Sequence, residues 1–468
     1  MIDVDVLEAV LAEGKRLGGS FVEVFFEDRE SKQITLDDSK IEGVSSGRSR
    51  GAGVRVMHGE ATGFAHTADL SRAGLVAAVS AAAAAGSAPP GTAPVALDRS
   101  RVVDSAADEA SEDRIPTATK VEYLLRANEA ARAAREEDQR SDEQVVQVGV
   151  SLAELRRRIQ IANSDGLLAT DDVRRTRFAV QCVAKGDAGL QTGMEAPGRT
   201  VGFEYFEEFP PEATAEEASR RALRMLRARP APSGKLPVVM ARGAGGVLFH
   251  EACGHGLEAD IIERGASVFK DRIGQQVAAS GVTLIDDATE AREWGTFAID
   301  DEGTPARRNT LIENGVLTDY MWDHIRSRRA GRQRSGNGRR ETYECLPMVR
   351  MTNTYVLNGD SSADDIISST EHGIYCVQLG GGQVDTATGD FVFGITEAYM
   401  IEQGRLTYPI KAAQLIGNGP AVLQRIDAVG NDFATWAGTC GKDGQGVPVS
   451  SGQPTLRVSE LTIGGTAS

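Results

Sequence analysis

The chain opens on MIDVDVLEAVLAEGKRLGG, where apolar residues recur at helical spacing with acidic residues early and basic ones late. That arrangement predicts an amphipathic helix. Residues 21–66 then alternate apolar and polar positions in short runs (FVEVFF, KQITL, GVRVMH, ATGFAH) between Gly/Ser/Asp turns. This is the pattern of antiparallel strands in a small sheet. The alanine-rich stretch 71–85 has strong helix propensity, and Gly86, Pro89 and Pro90 end it. Residues 86–116, rich in Pro, Ser, Ala and Asp, read as a long surface connection.

A second helix-and-sheet unit is predicted over 117–229. It has a helix in VEYLLRANEAARAAREE, strands near 144–153, 156–164, 175–185 and 198–206, and a helix in TAEEASRRALRMLRA. Two prolines and a glycine between Arg229 and Lys235 interrupt both helix and ladder, so the main boundary falls there. Beyond it the pattern is mostly strand with glycine turns, and Asn314-Gly315 between apolar runs signals a hairpin. Helix is concentrated at 246–264, 363–370 and 420–428. Because helices and strands are grouped rather than alternating, the predicted class is α+β. Mixed helix/sheet units at 1–116 and 117–229 precede a larger, mainly antiparallel β unit at 236–468.

Composition narrows the function classes. At 468 residues the chain exceeds one ordinary core. No apolar run approaches the roughly 20 residues that span a bilayer, and the N-terminus lacks a signal-peptide layout. The expectation is a cytoplasmic protein that does not enter membranes. The five cysteines, at 182, 253, 345, 376 and 440, form no close pairs, which fits reduced thiols, one or two of them metal-binding. A net charge of -16 argues against broad nucleic-acid binding. The cluster Arg326, Arg328, Arg329, Arg332, Arg334 has no interleaved aromatics for base stacking and reads as a solvated or interface loop.

The chemistry concentrates in LPVVMARGAGGVLFHEACGHGLEAD, residues 236–260. Gly243 and Gly245 follow a strand and open a helix, but position 248 is Leu and no Gly-Lys-Ser/Thr follows, so the nucleotide-binding fingerprints fail. Metal chemistry fits better, with two imidazoles and Glu251 beside the first as a general base. The spacing is unusual. His250 and His255 are five apart, roughly 140° round an ideal helix, against about 40° for the four-residue spacing of zincins. Gly254 makes a bulge or helix end feasible, so convergence has to be built into the backbone, and the competing reading of the pair is one packed histidine and one surface histidine.

His-Glu-Ala-Cys-Gly-His-Gly-Leu-Glu, residues 250–258, resembles the HExxxH motif of the TldD branch of the TldD/PmbA family, once named modulators of DNA gyrase. Further blocks resemble the family: SVFKDRIGQQVAASGVTLIDD at 267–287, DDEGTPARR at 300–308, GNGRRETYECLPMVRMTNTY at 336–355, GGGQVDTATGDFVF at 380–393, LIGNGP at 415–420 and GTCGKDGQGVPVSSGQPTLRV at 438–458. The N-terminal half matches more loosely, through SFVEVFFEDRESKQITLDDSKIEGV. The resemblance implies a metallopeptidase, usually taken to use one zinc ion, that acts on short or unfolded peptides, including peptide-antibiotic precursors. It implies metal ligation by His250, His255 and Cys440, with Glu251 as general base. The PmbA (TldE) branch typically lacks the histidine motif, which places this chain on the catalytic side, working with a homologous PmbA/TldE-type subunit or as a homodimer.

Other residues stay open at this level. Cys253, three positions after His250, is on nearly the same helical face and competes for the metal, but relatives often carry an aliphatic residue there, so it reads as core. Glu258 is either an orienting partner for a histidine or a surface carboxylate. His324 and His372 are candidates for an oxyanion, with ordinary surface histidines as the safer reading. Arg339, Arg340 and the Gly380-Gly381-Gly382 loop are candidates for holding peptide backbone. Two further functions compete with the peptidase: a non-peptidase metal hydrolase with the same ligands, and a regulatory binding protein of the gyrase-modulator type. Binding alone needs no general base beside a ligand, which counts against the last.

Overall fold

The computed structural model describes residues 1–86, 97, 115–187 and 189–466; most of the predicted 86–116 connection lies outside them. Phe21–Asp37 (β1), Lys40–His58 (β2) and Ala61–Thr67 (β3) form one antiparallel meander. Gln144–Asn163 (β4), Leu168–Gly186 (β5) and Gly189–Glu195 (β6) form another. β1 pairs with β4 from Glu23 to Asp37, so a single sheet of order β3-β2-β1-β4-β5-β6 runs through both N-terminal units. The short runs of the sequence are therefore pieces of strands 17 to 20 residues long. Charged residues break the apolar alternation without ending the strands, because cross-strand pairs hold them: Asp28 bonds Arg48 at 2.7 Å and Arg158 at 3.0 Å. The strand expected at 198–206 shrinks to Gly198–Arg199, and Tyr205–Glu208 is a helical turn that buries Tyr205 and Phe206.

Helices cover one face of this sheet. Val4–Arg16 (α1) and Arg72–Gly86 (α2) bring Leu7, Leu11, Leu75 and Val79 against Val22, Val24 and Phe26 of β1. Thr117–Ala133 (α3) and the helix Pro211–Met225 cover β4 and β5 around Leu152 and Phe178. The other face of β1 meets the C-terminal region. There Glu23 and Glu27, which alternation alone would turn to water, are buried. Arg55 donates to Glu23 and to Glu302, both at 2.8 Å, and Arg340 donates to Glu23 at 2.7 Å. Such a buried network contributes orientation more than net stability, since each charge leaves water to enter it.

In the C-terminal region five strands close into a ring. The order is His372–Val384, Gly234–Met240, Leu456–Gly464, Ala413–Asn418, Asp390–Glu402, and the last pairs back onto the first. A second sheet of six strands ends in Asn353–Val356, Gln445–Gln453 and the edge strand Ala434–Lys442. The hairpin turn falls on Asn314 (φ 47°) and Gly315 (φ 81°), as predicted. The fold is α+β, and the C-terminal region has one large core. Among the described residues no helix is long and apolar enough to cross a membrane.

Candidate metal centre

The helix predicted over 246–264 is broken into short turns. Strand Gly234–Met240 leaves the ring, turns at Gly243 (φ 76°), and enters a 3₁₀ turn at Ala244–Gly246 and a helical turn at Val247–Phe249. His250–Gly254 is then one π turn, followed by a 3₁₀ turn at His255–Leu257. A π turn bonds i to i+5, so residues five apart come round to within roughly 50° instead of 140°. The two imidazoles accordingly meet edge to face with centroids 5.0 Å apart. Gly254 contributes by its lack of a side chain rather than by its dihedrals: its φ is -53°, and a Cβ there would lie 2.2 Å from Met351 Sδ.

The thiol comes from the edge strand Ala434–Lys442. Cys440 Sγ lies 3.1 Å from His250 Nε2 and 3.4 Å from His255 Nε2, and the three donor atoms all lie within 4.8 Å of one another. Ligands on a tetrahedral ion with bonds of about 2.1 and 2.3 Å stand roughly 3.6 Å apart, so the set fits a zinc-sized cation. The backbone on either side is fastened. Arg350 donates to the carbonyls of Cys440 and, at 3.1 Å, Gln445. Gly246 approaches Gly452 so closely that a Cβ would reach its nitrogen at 2.5 Å.

His255 Nδ1 is 3.0 Å from Glu258 Oε2, which leaves Nε2 for the centre, the arrangement usual for a ligating histidine. Glu258 is fully buried. Burial pushes its carboxyl up, but His255 and Lys442 hold it down at about 2. Burial likewise pushes the Cys440 thiol up, and the two imidazoles bring it down to about 4. Burial works against charge on both histidines, yet Cys440 raises His250, and Glu258 with Cys440 raises His255 well above its ordinary value. Glu251 is half-buried, with Oε2 4.0 Å from His255 Nε2.

The remaining candidates separate from this group. Cys253 donates to the Phe249 carbonyl at 3.2 Å within the core, and burial raises its thiol to about 12. His324 is buried rather than on the surface, stacked on Phe21 at 4.2 Å, because its helix is wedged against β1. His372 is exposed at a strand start. Arg339 donates to the carbonyls of Met351 and Pro448, and Arg340, through Nη2, to Glu23 and the Asp301 carbonyl, so both hold protein, while Arg340 Nε and Nη1 are buried without a hydrogen-bond partner. Gly380-Gly382 is bulged strand, not loop. Arg326, Arg329 and Arg332 pair with Asp323, Glu60, Glu263 and Asp319. The sequence reading missed Lys442 and Arg350. For Lys442 a signal existed: two residues beyond Cys440 on a strand, it shares the thiol's face.

With a buried thiol and two imidazoles at ligand spacing and a carboxylate beside them, the site has the donor set of a metal-dependent enzyme. Comparison makes the assignment specific. Family models described as PmbA/TldA metallopeptidase domain 1, central domain and C-terminal domain match residues 22–86, 110–226 and 233–465. The chain belongs to the PmbA/TldD metallopeptidase family. It is 38% identical over 457 residues to the metalloprotease TldD homolog of Buchnera aphidicola, covering 95% of this chain and 92% of that one. It is 31% identical over 261 residues to a zinc metalloprotease TldD homolog of Saccharolobus solfataricus, covering 56% and 58%. The crystal structure of TldE from Thermococcus kodakarensis superposes with a TM-score of 0.78 at 18% identity, covering 98% of this chain and 99% of that one, a likeness of fold.

Proposed function

We propose that this chain is a zinc-dependent peptidase in which His250, His255 and Cys440 hold one ion and Glu251 is the general base. The convergence of the three donor atoms carries the reading. Imidazole and thiolate donors suit zinc, the metal named for the Saccharolobus relative. A bound ion supplies Lewis-acid polarisation of a peptide carbonyl and makes water more acidic. Glu251, within 4.0 Å of a ligand nitrogen and partly open to solvent, accepts the proton from the attacking water and returns it to the leaving amine.

The substrates are short or unfolded peptides, peptide-antibiotic precursors among them. Strand His372–Val384 pairs with Gly234–Met240 only over Ile374–Cys376, so beyond Cys376 that edge runs on toward the histidine-bearing turn. An extended peptide would add to it by main-chain hydrogen bonds, with loose side-chain specificity. The working form pairs with a homologous PmbA/TldE-type subunit or with a second copy of itself. Five free thiols fit a cytoplasmic setting.

The test is to purify the chain with and without such a subunit, measure bound metal, and digest one protein in native and in unfolded form. Cleavage of the unfolded form alone supports the reading. Equal cleavage of both overturns the substrate assignment, and metal-bearing enzyme that hydrolyses only small amides favours the non-peptidase alternative.

A further inference from the structure

Lys442 sits in a position that few lysines occupy. Its side chain is 7% exposed and on the same strand face as Cys440, with its ammonium donating to Glu258 Oε2 at 2.9 Å, Asp260 Oδ1 at 2.7 Å and the Val349 carbonyl at 3.0 Å. Glu258 and Asp260 are themselves 0% and 1% exposed. All three donors of a lysine are therefore used, and the acceptors come from two different parts of the chain. Glu258 Oε2 is shared between Lys442 and His255 Nδ1. The ammonium thus fixes the carboxylate oxygen that fixes the imidazole.

We propose that Lys442 is a positioning residue for the metal centre, locking Glu258 onto His255 Nδ1 and joining the strand that carries the thiol to the turn that carries the histidines. The proposal rests on the metal-centre reading above. Its physical content is preorganisation. Without the ammonium, Glu258 has no cation on its far side and the Cys440 strand loses its side-chain tie to the 258–260 segment. His255 then no longer keeps Nε2 aimed at Cys440. A long basic side chain is needed, because the three acceptors surround one point.

The experiment compares wild type, Lys442→Met, Lys442→Arg and Glu258→Gln by zinc dissociation constant from chelator competition and by the ¹⁵N NMR signature of His255 in the metal-free chain. Loss of an orienting partner typically weakens metal binding about 10–100-fold. Lys442→Met is expected to fall in that range and to lose the His255 Nδ1–H signature, with Lys442→Arg recovering most of both. Adding Lys442→Met to Glu258→Gln is expected to weaken zinc less than Lys442→Met does alone, since part of its effect acts through the shared Glu258 contact. A folded Lys442→Met chain with wild-type zinc affinity and an unchanged His255 signature overturns the proposal. If Lys442→Met does not fold, Lys442→Gln with Asp260→Asn, which strands no charge on Asp260, is measured against the same two outcomes. If the wild-type chain binds no zinc through Cys440, the metal reading fails separately, and the His255 signature in the metal-free chain still decides the role of Lys442.

Discussion

His250 Nε2 and Cys440 Sγ stand 3.1 Å apart although 190 residues separate them in the chain. The first comes from a π turn that leaves the closed strand ring, the second from the edge of the neighbouring sheet. Their approach is what turns an irregular histidine spacing into a three-donor site. It also places a thiolate where burial alone would have kept a thiol.

Glu251→Gln is expected to keep zinc binding near wild type and to lower turnover about 10²–10⁴-fold, the usual cost of losing a general base. Glutamine preserves the shape but accepts no proton. Metal content and kcat on an unfolded peptide substrate, measured on the same preparation, check this; an unchanged kcat refutes the role.

The two cysteines nearest the histidines should part company. Cys440→Ser is expected to lower metal occupancy sharply, whereas Cys253→Ala leaves it close to wild type, since the Cys253 thiol points to the Phe249 carbonyl. Elemental analysis of both purified variants decides. The reverse pattern would move the third ligand to Cys253.

Zinc affinity should rise with pH across the neutral range. Burial opposes charge on His255, but Glu258 and Cys440 raise it well above 6.5, so at pH 7 an incoming ion must displace its proton. The thiol, at about 4, has already lost its own. Each displaced proton makes the apparent affinity fall about tenfold per pH unit below the raised value. Chelator competition at pH 6, 7 and 8 reads this out, and a flat profile would show that the metal-free histidines are neutral.

Gly254→Ala tests the backbone of the site. The new Cβ would meet Met351 Sδ at 2.2 Å in a buried position. Overpacking costs about 1–3 kcal/mol, against a helix-propensity gain of about 1 kcal/mol, so net destabilisation is expected. Met351→Ala should be less costly in the Gly254→Ala background than alone, with a coupling of about 0.5–3 kcal/mol in denaturant melts. Strict additivity would show that the two residues do not collide.

Local pattern determined much of this protein. Propensity and alternation located α2, the strands of the first sheet and the Asn314-Gly315 hairpin, because each depends on neighbours in sequence. Motif resemblance supplied the family and nominated His250, Glu251, His255 and Cys440. Three matters waited for the tertiary structure. Strands of 17 to 20 residues emerged from short runs because cross-strand ion pairs carry them through charged stretches. Glu23, Glu27, Arg339 and Arg340 became interior residues because the second face of the sheet meets another part of the chain instead of water. And two histidines at a spacing that an ideal helix would splay converge because a π turn, packed against Met351 where Gly254 has no side chain, turns them toward a thiol that arrives from 190 residues away. Periodicity reports which side of its own element a residue faces; what stands on that side is decided by long-range packing.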